Sequence, residues 1–475
     1  FDQGAVGWCG AELSPSLGAT WGVSEGTQVE AVWNPDYSQL EADAGQLAVN
    51  NRYALYLEER RPFFLEGKDL YDTPFQLLYT RSIGRPVVAL KLTTLSKGRR
   101  TGLLTALDSP GDDQPGTDLV WTSAERSTWD VGDSGQLGQT LVTRVAMPSS
   151  GGDNVVSNLV AGADARVPFS EQLRAEVDGV GSLVLGEAGA PTDAAARTRL
   201  VWENARFRFQ AVAQHVGEDF RADAGYITRV GYESLFAKAD YYYRSGTGTV
   251  RYVSPGVWQQ VYLSPEGDPE ETVLAANTYA EFAGHWWLFP YISRNAERVT
   301  LDSTGNEVWM PTLWAELDAG VTATTWLDLW TELAAGSSIV RDDELLNGRD
   351  AYVGRELAPA FGTTLRPTDS AVLEGWWRAR LLSDDLAHPG ELSSQHIVHG
   401  RAQYFLTRAS DIRWVEEWDT LANRLTGSLL YSHTPSPGTV VFLGFSDDRP
   451  TAAASADADP ATWSLFFKWS QRLAF

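Results

Sequence analysis

Hydrophobic and polar residues alternate along the chain in segments of about 8 to 15 residues. Clear examples are residues 205–214 (ARFRFQAVAQ), 234–244 (SLFAKADYYYR) and 371–382 (AVLEGWWRARLL). A period of two residues places the two classes of side chain on opposite faces of a β-strand. The pattern therefore predicts an all-β chain. It is either a soluble sandwich whose polar faces point to bulk water or a barrel whose polar face lines a water-filled lumen.

Three further features favour a barrel that crosses a membrane. Tryptophans lie near the ends of the alternating segments, for example Trp286 and Trp287 or Trp463 and Trp469, as the aromatic girdles of membrane barrels do. Short turns alternate with long polar connections, and residues 86–475 contain no long amphipathic helical pattern. We therefore expect the whole chain, residues 1–475, to form one domain, a large transmembrane antiparallel β-barrel of roughly 20 to 24 strands.

One segment departs from the rhythm of strands. Residues 35–85 separate two strand-like stretches and surround the apolar Phe63 and Phe64 with charged side chains. A long insertion of this kind is usually a functional loop or a plug, and a lumen of this width must be filled by water or by protein. We expect the insertion to lie inside or across the lumen, with an extracellular cap as the alternative. Its predicted plug charge cluster is Glu58, Glu59, Arg60, Arg61, Glu66 and Lys68.

Basic side chains fall on the polar side of several predicted strands. In a water-filled pore they would favour anions, whereas opposite carboxylates they would hold the insertion in place through ion pairs. We favour the second interpretation, because the insertion offers Glu58, Glu59 and Glu66. The predicted lumen-facing residues are Arg206, Arg208, Lys238, Arg378, Arg380 and Arg401.

The charge of the chain argues against a nucleic-acid partner. The chain has 38 basic and 62 acidic residues and a formal net charge of −24, and much of the acid lies in loop-like stretches such as 108–118 and 446–460. A single cysteine, Cys9, excludes an internal disulfide framework. The first ten residues lack the basic start and apolar core of a secretory signal. We therefore expect the sequence to be a mature or truncated piece of an exported protein.

Patterns for catalysis and metal binding are weak. Ser394 and His396 would share one face of a strand, but no third partner is evident. His396 and His399 would point to opposite faces and so cannot readily chelate one ion. The sequence GDSG at 132–135 lies in a glycine-rich turn without the histidine context of a serine protease. We therefore predict no catalytic residues, no metal site and no cofactor.

The end of the chain carries a candidate assembly signal. From Ser464 onward, large apolar residues recur by twos up to a terminal aromatic ring. This arrangement resembles the signal by which the outer-membrane barrel-assembly machinery recognises a final strand. We therefore expect a location in the bacterial outer membrane, with that machinery, outer-membrane lipids, lipopolysaccharide and further envelope proteins as partners. The predicted signal residues are Phe467, Trp469, Leu473 and Phe475.

The insertion also carries a resemblance to a known family. The motifs are NPDYSQLEAD (34–43), LEERRPFFLEGKDLY (57–71) and LLYTRSIGR (77–85), with a further echo in the closing FFKWSQRLAF (466–475). They resemble an uncharacterised bacterial family of outer-membrane β-barrel domains that usually follow a carbohydrate-binding-like module of family nine. The resemblance implies an outer-membrane barrel with a periplasmic N-terminal side, and it implies no catalytic residues. The carbohydrate-binding-like module itself is absent from these residues.

Three functions are open at this point. The first is a plugged channel, or a transport or secretion pore, for a solute or polymer. The second is a structural anchor in the membrane for a larger envelope or surface assembly, with a closed lumen. The third and weakest is an outer-membrane hydrolase, which the histidine patterns support poorly.

Overall fold

A computed structural model describes residues 14–37, 45–110, 117–148, 155–346, 348–385, 387–436, 439–451 and 461–471. These residues form 24 β-strands, two single-turn α-helices, α1 (Pro62–Leu65) and α2 (Asp343–Leu346), and 3₁₀ turns at Lys68–Tyr71 and Thr80–Ser82. The strands are β1 Leu17–Ser24, β2 Thr27–Trp33, β3 Pro86–Ser96, β4 Arg99–Asp108, β5 Thr117–Val131, β6 Gly135–Pro148, β7 Val156–Pro168, β8 Leu173–Leu185, β9 Thr192–Glu203, β10 Phe207–Val216, β11 Tyr232–Tyr241, β12 Tyr243–Arg244, β13 Val250–Leu263, β14 Pro269–Phe282, β15 Trp286–Thr300, β16 Glu307–Thr324, β17 Leu327–Val340, β18 Tyr352–Thr368, β19 Ala371–Ser383, β20 Ser393–Thr407, β21 Ser410–Asp419, β22 Arg424–Ser436, β23 Thr439–Pro450 and β24 Thr462–Gln471.

All strands belong to one antiparallel sheet. Neighbours in sequence are neighbours in the sheet from β1 to β24, and the short β12 pairs with β13 beside β11. Apart from β1, β2 and β12, the strands are 10 to 18 residues long. A tilted strand needs about 9 to 11 residues to cross a bilayer, so these strands are long enough to span one.

The outer face of the sheet is apolar and exposed. In β24, Trp463, Leu465, Phe467 and Trp469 are 53%, 67%, 71% and 60% exposed, and Ser464, Phe466 and Lys468 lie between them on the other face. Leucine, valine and aromatic side chains continue this face around the sheet. Such a face is typical of a sheet that contacts lipid. Among the described residues, no helix is long and apolar enough to pass through a membrane.

The sheet curls around the insertion, residues 35–85. Asp36 lies 3.6 Å from the Nζ of Lys468 in β24, and Arg52 lies 2.8 Å from Glu271 in β14, while the later part of the insertion packs on β3 and β4. One segment reaches both ends and the middle of the sheet only if the sheet is wrapped around it. The prediction of a large antiparallel β-barrel with a lumenal insertion is confirmed. Within the described residues no ladder joins β1 to β24, and the pair of Asp36 and Lys468 brings the two ends of the sheet together.

The two ends of the barrel have different connections. At one end the strands are joined by short turns, such as residues 97–98, 204–206 and 325–326. At the other end lie the longer connections, including residues 217–231, which join β10 and β11, and the insertion, which joins β2 and β3. We call these the short-turn end and the long-connection end. The insertion therefore enters the lumen from the long-connection end.

Candidate functional site in the barrel lumen

The later part of the insertion, residues 59–85, is a folded segment built on a buried ion pair. Arg61 donates from Nε to Glu59 Oε1 at 2.9 Å and from Nη2 to Glu59 Oε2 at 2.7 Å. The same guanidinium donates to the carbonyl oxygens of Thr80 and Ile83, and the Thr80 hydroxyl donates to Glu59 Oε2 at 2.7 Å. Because the charges and their remaining hydrogen-bonding groups are paired, the ion pair ties the two ends of the folded segment together.

The ionisation of Glu59 follows from these contacts. Burial by itself raises the pKa of the Glu59 carboxyl, but the hydrogen bonds from Arg61 and Thr80 and the charge of Arg61 outweigh that effect. The pKa of Glu59 is therefore lower than its ordinary value of 4.5. The carboxylate stays charged at neutral pH, and the ion pair persists there.

An apolar cluster attaches the folded segment to the barrel wall. Phe63 and Phe64 are 7% and 3% exposed, and their ring centroids lie 5.0 Å apart in an edge-to-face arrangement. They pack with Ile83 of the same segment, with Ala89 of β3 and with Leu104 of β4. Full burial of two aromatic rings contributes about 3 kcal/mol or more each when measured by truncation. The folded segment is thus fixed to β3 and β4.

A buried lysine of the wall supports this attachment. Lys91 of β3 is 2% exposed, and its Nζ donates to the carbonyl oxygens of Phe63 at 2.8 Å and Glu66 at 2.7 Å. The same Nζ lies 3.2 Å from a carboxylate oxygen of Glu30 in β2. A buried ammonium group requires such a set of acceptors. Lys91 therefore binds the end of helix α1 to the wall.

A second apolar cluster joins the folded segment to the connection between β10 and β11. Phe75 and Leu77 of the insertion pack with Phe220 and Ala224 of that connection, all four being buried. Inward-facing residues of the wall complete the cluster, among them Val160 of β7. The connection of residues 217–231 therefore folds into the lumen together with the insertion and fills part of it with apolar side chains.

Three tyrosines mark the contact between these two inward-folded segments. The rings of Tyr56, Tyr79 and Tyr226 lie 5.2 to 5.3 Å from one another, measured between centroids. The Tyr226 hydroxyl donates to the carbonyl oxygen of Ala54, and the Tyr79 hydroxyl donates to the carbonyl oxygen of Leu57 at 3.0 Å. The rings contact each other directly and leave no space for a ligand between them. Because Tyr56, Ala54 and Leu57 precede the folded segment, the trio joins residues 54–57 of the insertion to the folded segment and to the connection between β10 and β11.

The earlier part of the insertion, residues 45–57, is an extended segment held mainly by polar contacts with the wall. The backbone N–H of Gly45 donates to Glu417 Oε1 in β21 at 2.7 Å, and that of Ala48 donates to Gln395 Oε1 in β20 at 2.7 Å. Gln395 is 0% exposed, and its Nε2 donates back to the carbonyl oxygen of Gln46 at 3.2 Å. These side chains of the wall bind the backbone N–H and carbonyl groups of the extended segment, as a neighbouring strand would.

Farther along the extended segment, Asn50 and Arg380 continue the same type of contact. Asn50 has a left-handed backbone (φ 56°), its Nδ2 donates to the carbonyl oxygen of Ile339 at 2.8 Å, and its Oδ1 accepts the N–H of Arg341 at 2.8 Å. Asparagine tolerates this backbone region better than most residues. Arg380 of β19 donates from Nη1 to the carbonyl oxygen of Val49 at 2.8 Å. The extended segment is thus held on successive strands.

A chain of alternating charges holds the end of the extended segment. Arg52 lies 2.8 Å from Glu271 of β14 and 3.3 Å from Glu297 of β15. Arg229, in the connection between β10 and β11, lies 3.0 Å from Glu271, and Arg341 lies 3.0 Å from Glu297. Both glutamates are less than 10% exposed, so they need cationic partners. Arg52 joins two ion pairs of the wall into one network.

Five of the six predicted lumen-facing residues lie on strands and face inward, and the contacts that the described residues show for them are mainly with the wall. Arg380 reaches the insertion through backbone and amide oxygens and pairs with Glu356 of the wall at 2.8 Å. The wall partners of the others are Glu203 for Arg208 (3.9 Å), Asp240 for Lys238 (3.1 Å), Glu374 for Arg401 (3.0 Å), and the rings of Trp330 and Trp376 for Arg378 (5.8 and 5.4 Å).

The placement of Arg206 and the direction of the ion pairs differ from expectation. Arg206 is exposed in the turn between β9 and β10, because Asn204 caps that turn by accepting the N–H groups of residues 206 and 207. At Arg52 the insertion contributes the cation and the wall contributes the anions Glu271 and Glu297, whereas at β24 the insertion contributes the anion Asp36 and the wall the cation Lys468. Glu59 is occupied by Arg61 and is therefore not available to a basic residue of the wall.

The predicted plug charge cluster divides into buried and accessible residues. Glu59 and Arg61 are buried, whereas Glu58 and Glu66 are exposed, and within the described part of the chain neither of the latter two forms an ion pair with the wall. Arg60 is half-buried and its backbone N–H donates to Glu59 Oε1 at 3.0 Å. The spacing in the sequence did not reveal which charges would turn inward.

A small cavity lies between the folded segment and the wall. It has a volume of about 170 Å³, and its lining includes Tyr56, Lys68, Gln76, Tyr79 and Leu104. Lys68, from the predicted cluster, contributes a half-buried ammonium group to this lining.

The structure describes two of the four residues of the predicted assembly signal, and it describes both histidines of the pair in β20. Phe467 and Trp469 lie on the exposed outer face of β24, and Leu473 and Phe475 lie outside the described residues. In β20, the His399 ring faces the lumen with Nδ1 3.0 Å from Glu417, whereas His396 stacks on Trp377 of the outer face. The two histidines therefore point to opposite faces of the strand.

Sequence reasoning missed most of the wall residues that hold the insertion. These are Lys91, Glu271, Glu297 and Gln395, and their partners Asn50 and Arg52 in the insertion were missed as well. Each wall residue occupies a polar position in a strand that otherwise reads as ordinary alternation. Their one common signal is that most lie within a few positions of the long-connection end of a strand, close to where the insertion enters.

Comparisons with known proteins give one family match and several similar structures. Residues 11–101 match the model of a family described as a domain of unknown function (DUF5916), which supports the resemblance to an uncharacterised domain family, and no curated protein matches the chain. The chain is similar to the siderophore receptor PirA from Acinetobacter baumannii, with 8% identity, coverage of 76% of this chain and 73% of that chain, and a TM-score of 0.46. It is also similar to the ferric citrate transporter FecA in its unliganded form, with 11% identity, coverage of 80% and 67%, and a TM-score of 0.44.

Proposed function

We propose that this protein is a bacterial outer-membrane pore whose outer mouth is closed by the insertion, residues 35–85, and that it passes a solute or polymer when the insertion moves. The whole chain is one barrel domain in this proposal, and the chain itself performs no catalysis. The observation that carries it is the course of the insertion, which enters from the long-connection end and contacts strands on opposite sides of the lumen, from β24 through β20 and β14 to β3.

The proposal places the long-connection end outside the cell and the short turns in the periplasm, as in outer-membrane barrels generally. The barrel-assembly machinery would insert the chain, and further envelope proteins would contact its outer connections. β1 begins at the long-connection end, because its first residue Leu17 pairs with Trp33, the last residue before the insertion. In this orientation a carbohydrate-binding-like module upstream of these residues, which the family resemblance implies, would attach outside the cell rather than on the expected periplasmic side.

Planar-bilayer conductance tests the proposal. The purified barrel should be closed, and replacement of residues 46–56 by a flexible glycine-serine linker of equal length should give stable open channels. That replacement removes the side chain of Arg52, which contacts Glu271 and Glu297, and makes the backbone that Gln395 binds flexible. It leaves the folded segment on β3 and β4. A matched control replaces the eleven residues 451–461, which connect β23 and β24, by the same linker and should stay closed.

The outcome separates the pore from the structural anchor. If the linker variant folds, as judged by heat-modifiable migration in gels, and still conducts no ions, the pore is refuted and the anchor is favoured. Anion or cation preference of the open channel would then report the charge of the lumen, where Arg208 and Arg401 lie beside wall carboxylates.

A further inference from the structure

Two arginines interrupt the apolar outer face of the barrel. Arg294 of β15 is exposed, and its direct ladder partners are Leu274 of β14 and Leu313 of β16. Each of these leucines is 53% exposed on the outer face. Because direct partners in an antiparallel ladder point to the same side of the sheet, Arg294 also faces outward. A charged side chain is unusual on this face.

Arg355 of β18 lies on the same row of the sheet. Arg294 pairs with Leu313 of β16. The backbone N–H of Leu313 donates to the hydroxyl of Ser337 in β17, and Ser337 pairs directly with Arg355. Arg355 is exposed and shares its face with Phe361, which is 57% exposed. Three steps between strands separate the two arginines, which is about 14 Å at the usual strand spacing.

The row lies near the upper limit of the membrane-crossing part of these strands. Leu313, the partner of Arg294, is thirteen positions from Trp326 at the short-turn end, and Arg355 is thirteen positions from Thr368, the last residue of β18. About 9 to 11 residues cross a bilayer, so both positions reach the headgroup region on the long-connection side. Long arginine side chains also extend toward that region.

Two other arginines on the outer face have acidic partners. Arg298 of β15 lies 3.2 Å from Glu307, and Arg449 of β23 lies 2.6 Å from Asp447. Within the described residues, Arg294 and Arg355 have neither an ion pair nor a side-chain hydrogen bond. A chain with a net charge of −24 thus leaves two cations unpaired on a surface that contacts lipid. Their natural complement is an anion supplied by the lipid.

We propose that Arg294 and Arg355 form a binding site for the phosphate groups of an outer-leaflet lipid, whose acyl chains pack on the leucines below. The guanidinium group suits this role because it presents paired donors to phosphate oxygens. The spacing of about 14 Å favours a headgroup with two separated phosphates over a single phosphate. This inference rests on the outer-membrane location in the proposed function, but not on the opening of the pore.

Native mass spectrometry of the full chain tests the site with diphosphoryl lipid A as probe. Arg294→Gln and Arg355→Gln should each weaken lipid A binding about fivefold, and the double variant about thirtyfold, since each cation near a membrane surface contributes comparably. The lysine variants at both positions should retain most of the binding. The control is Arg251→Gln, which removes an exposed arginine at the short-turn end of β13.

Two further ligands distinguish a site for the phosphates of a lipid from apolar contact alone and from a site for free phosphate. Dephosphorylated lipid A should bind the wild type as weakly as lipid A binds the double variant, and excess inorganic phosphate should displace little lipid A. Equal binding of both lipids by the wild type, unchanged binding by the folded double variant, or full displacement by inorganic phosphate would each overturn the site. Conductance measured on the same preparations is independent, so failure of the pore leaves this result unaffected.

Discussion

The two parts of the insertion are held in the lumen by different physical means. The folded segment, residues 59–85, buries Phe63, Phe64 and the pair of Glu59 and Arg61. The extended segment, residues 45–57, leaves residues 51–55 exposed. It is held by single hydrogen bonds, by the partly exposed Arg52 and, at its end, by the contacts of the Tyr56 ring with Tyr79 and Tyr226. Burial of apolar surface dominates stability, whereas partly exposed polar contacts contribute little each.

This difference indicates which part of the insertion can move. Regions with few buried apolar contacts open at low free-energy cost, while a packed core opens only with the whole domain. We therefore expect the folded segment to stay on β3 and β4 and the extended segment to detach from β14 to β21. A pore that opens in this way needs no unfolding of its barrel. The following four predictions test the contrast, from the largest expected effect to the smallest.

Arg61→Ala should have the largest effect. The substitution leaves Glu59 as an unpaired buried carboxylate and removes the hydrogen bonds to the carbonyl oxygens of Thr80 and Ile83. Breaking one partner of a buried pair costs about 3 to 5 kcal/mol. Limited proteolysis should then cut within residues 59–85. The matched control is Glu58→Ala, an exposed neighbour, which should change stability by less than about 0.5 kcal/mol. Equal protection of both variants would refute a core built on this pair.

Acid should destabilise the folded segment, but by less than Arg61→Ala does. Burial alone raises the pKa of Glu59, but Arg61 and Thr80 lower it more, so its folded pKa lies below 4.5. A lowered folded pKa contributes stability that is present above pH 4.5 and is lost as the pH falls through the folded value. Proteolysis of the folded segment should therefore increase as the pH falls below 4.5. In Glu59→Gln this dependence should be absent; a dependence of the same size would assign it to another group.

Gln395→Ala should weaken the extended segment without affecting the folded one. The substitution leaves the N–H of Ala48 and the carbonyl oxygen of Gln46 without their wall partner, at a cost of about 1 to 3 kcal/mol. Hydrogen exchange should increase at residues 45–50 and stay unchanged at 61–66. A matched control is Gln403→Ala, which alters another lumen-facing glutamine of β20 that hydrogen-bonds Asp411 rather than the insertion. Faster exchange in both segments would mean that they move as one unit.

Arg52→Ala should have the smallest effect on stability and a visible effect on gating. Arg52 is partly exposed (30%), so its pairs with Glu271 and Glu297 contribute about 1 kcal/mol or less. Detachment of the extended segment should nevertheless become several times more frequent, which single-channel recording would register as brief openings. Arg52→Lys keeps the charge and should give fewer openings than Arg52→Ala. If Arg52→Ala shows no openings beyond those of the wild type, the ion pairs of Arg52 do not hold the pore closed.

Much of this architecture could be predicted from the alternation of residues. A period of two identifies strands wherever one face meets lipid and the other meets water, so the strand at 234–244 was located at β11 with Leu235 on the outer face. The insertion was evident because Phe63 and Phe64 stand among charges without alternation. The class of fold thus follows from local pattern.

The contacts of the insertion could not be predicted in the same way. Periodicity assigns Glu271 to the lumen, but it does not state that Arg52, 219 residues away, lies beside it. The preference of Glu59 for Arg61 depends on a turn that returns Thr80 and Ile83 to the same place. Long-range register and the path of an irregular segment are properties of the folded chain. The pairing of Glu59 with Arg61 of its own segment, rather than with a wall arginine, could therefore not be predicted from the pattern.

One measurement tests most directly whether the insertion closes the outer mouth. In a Cys9→Ser background, which removes the single native thiol, Arg208→Cys places a thiol in the lumen near the short-turn end and Leu55→Cys places one on the exposed extended segment. A membrane-impermeant maleimide added outside intact cells should label Leu55→Cys quickly and Arg208→Cys slowly. Addition of Arg52→Ala and Gln395→Ala should accelerate the labelling of Arg208→Cys and leave the labelling of Leu55→Cys unchanged. Rapid labelling of Arg208→Cys with the insertion intact would contradict closure.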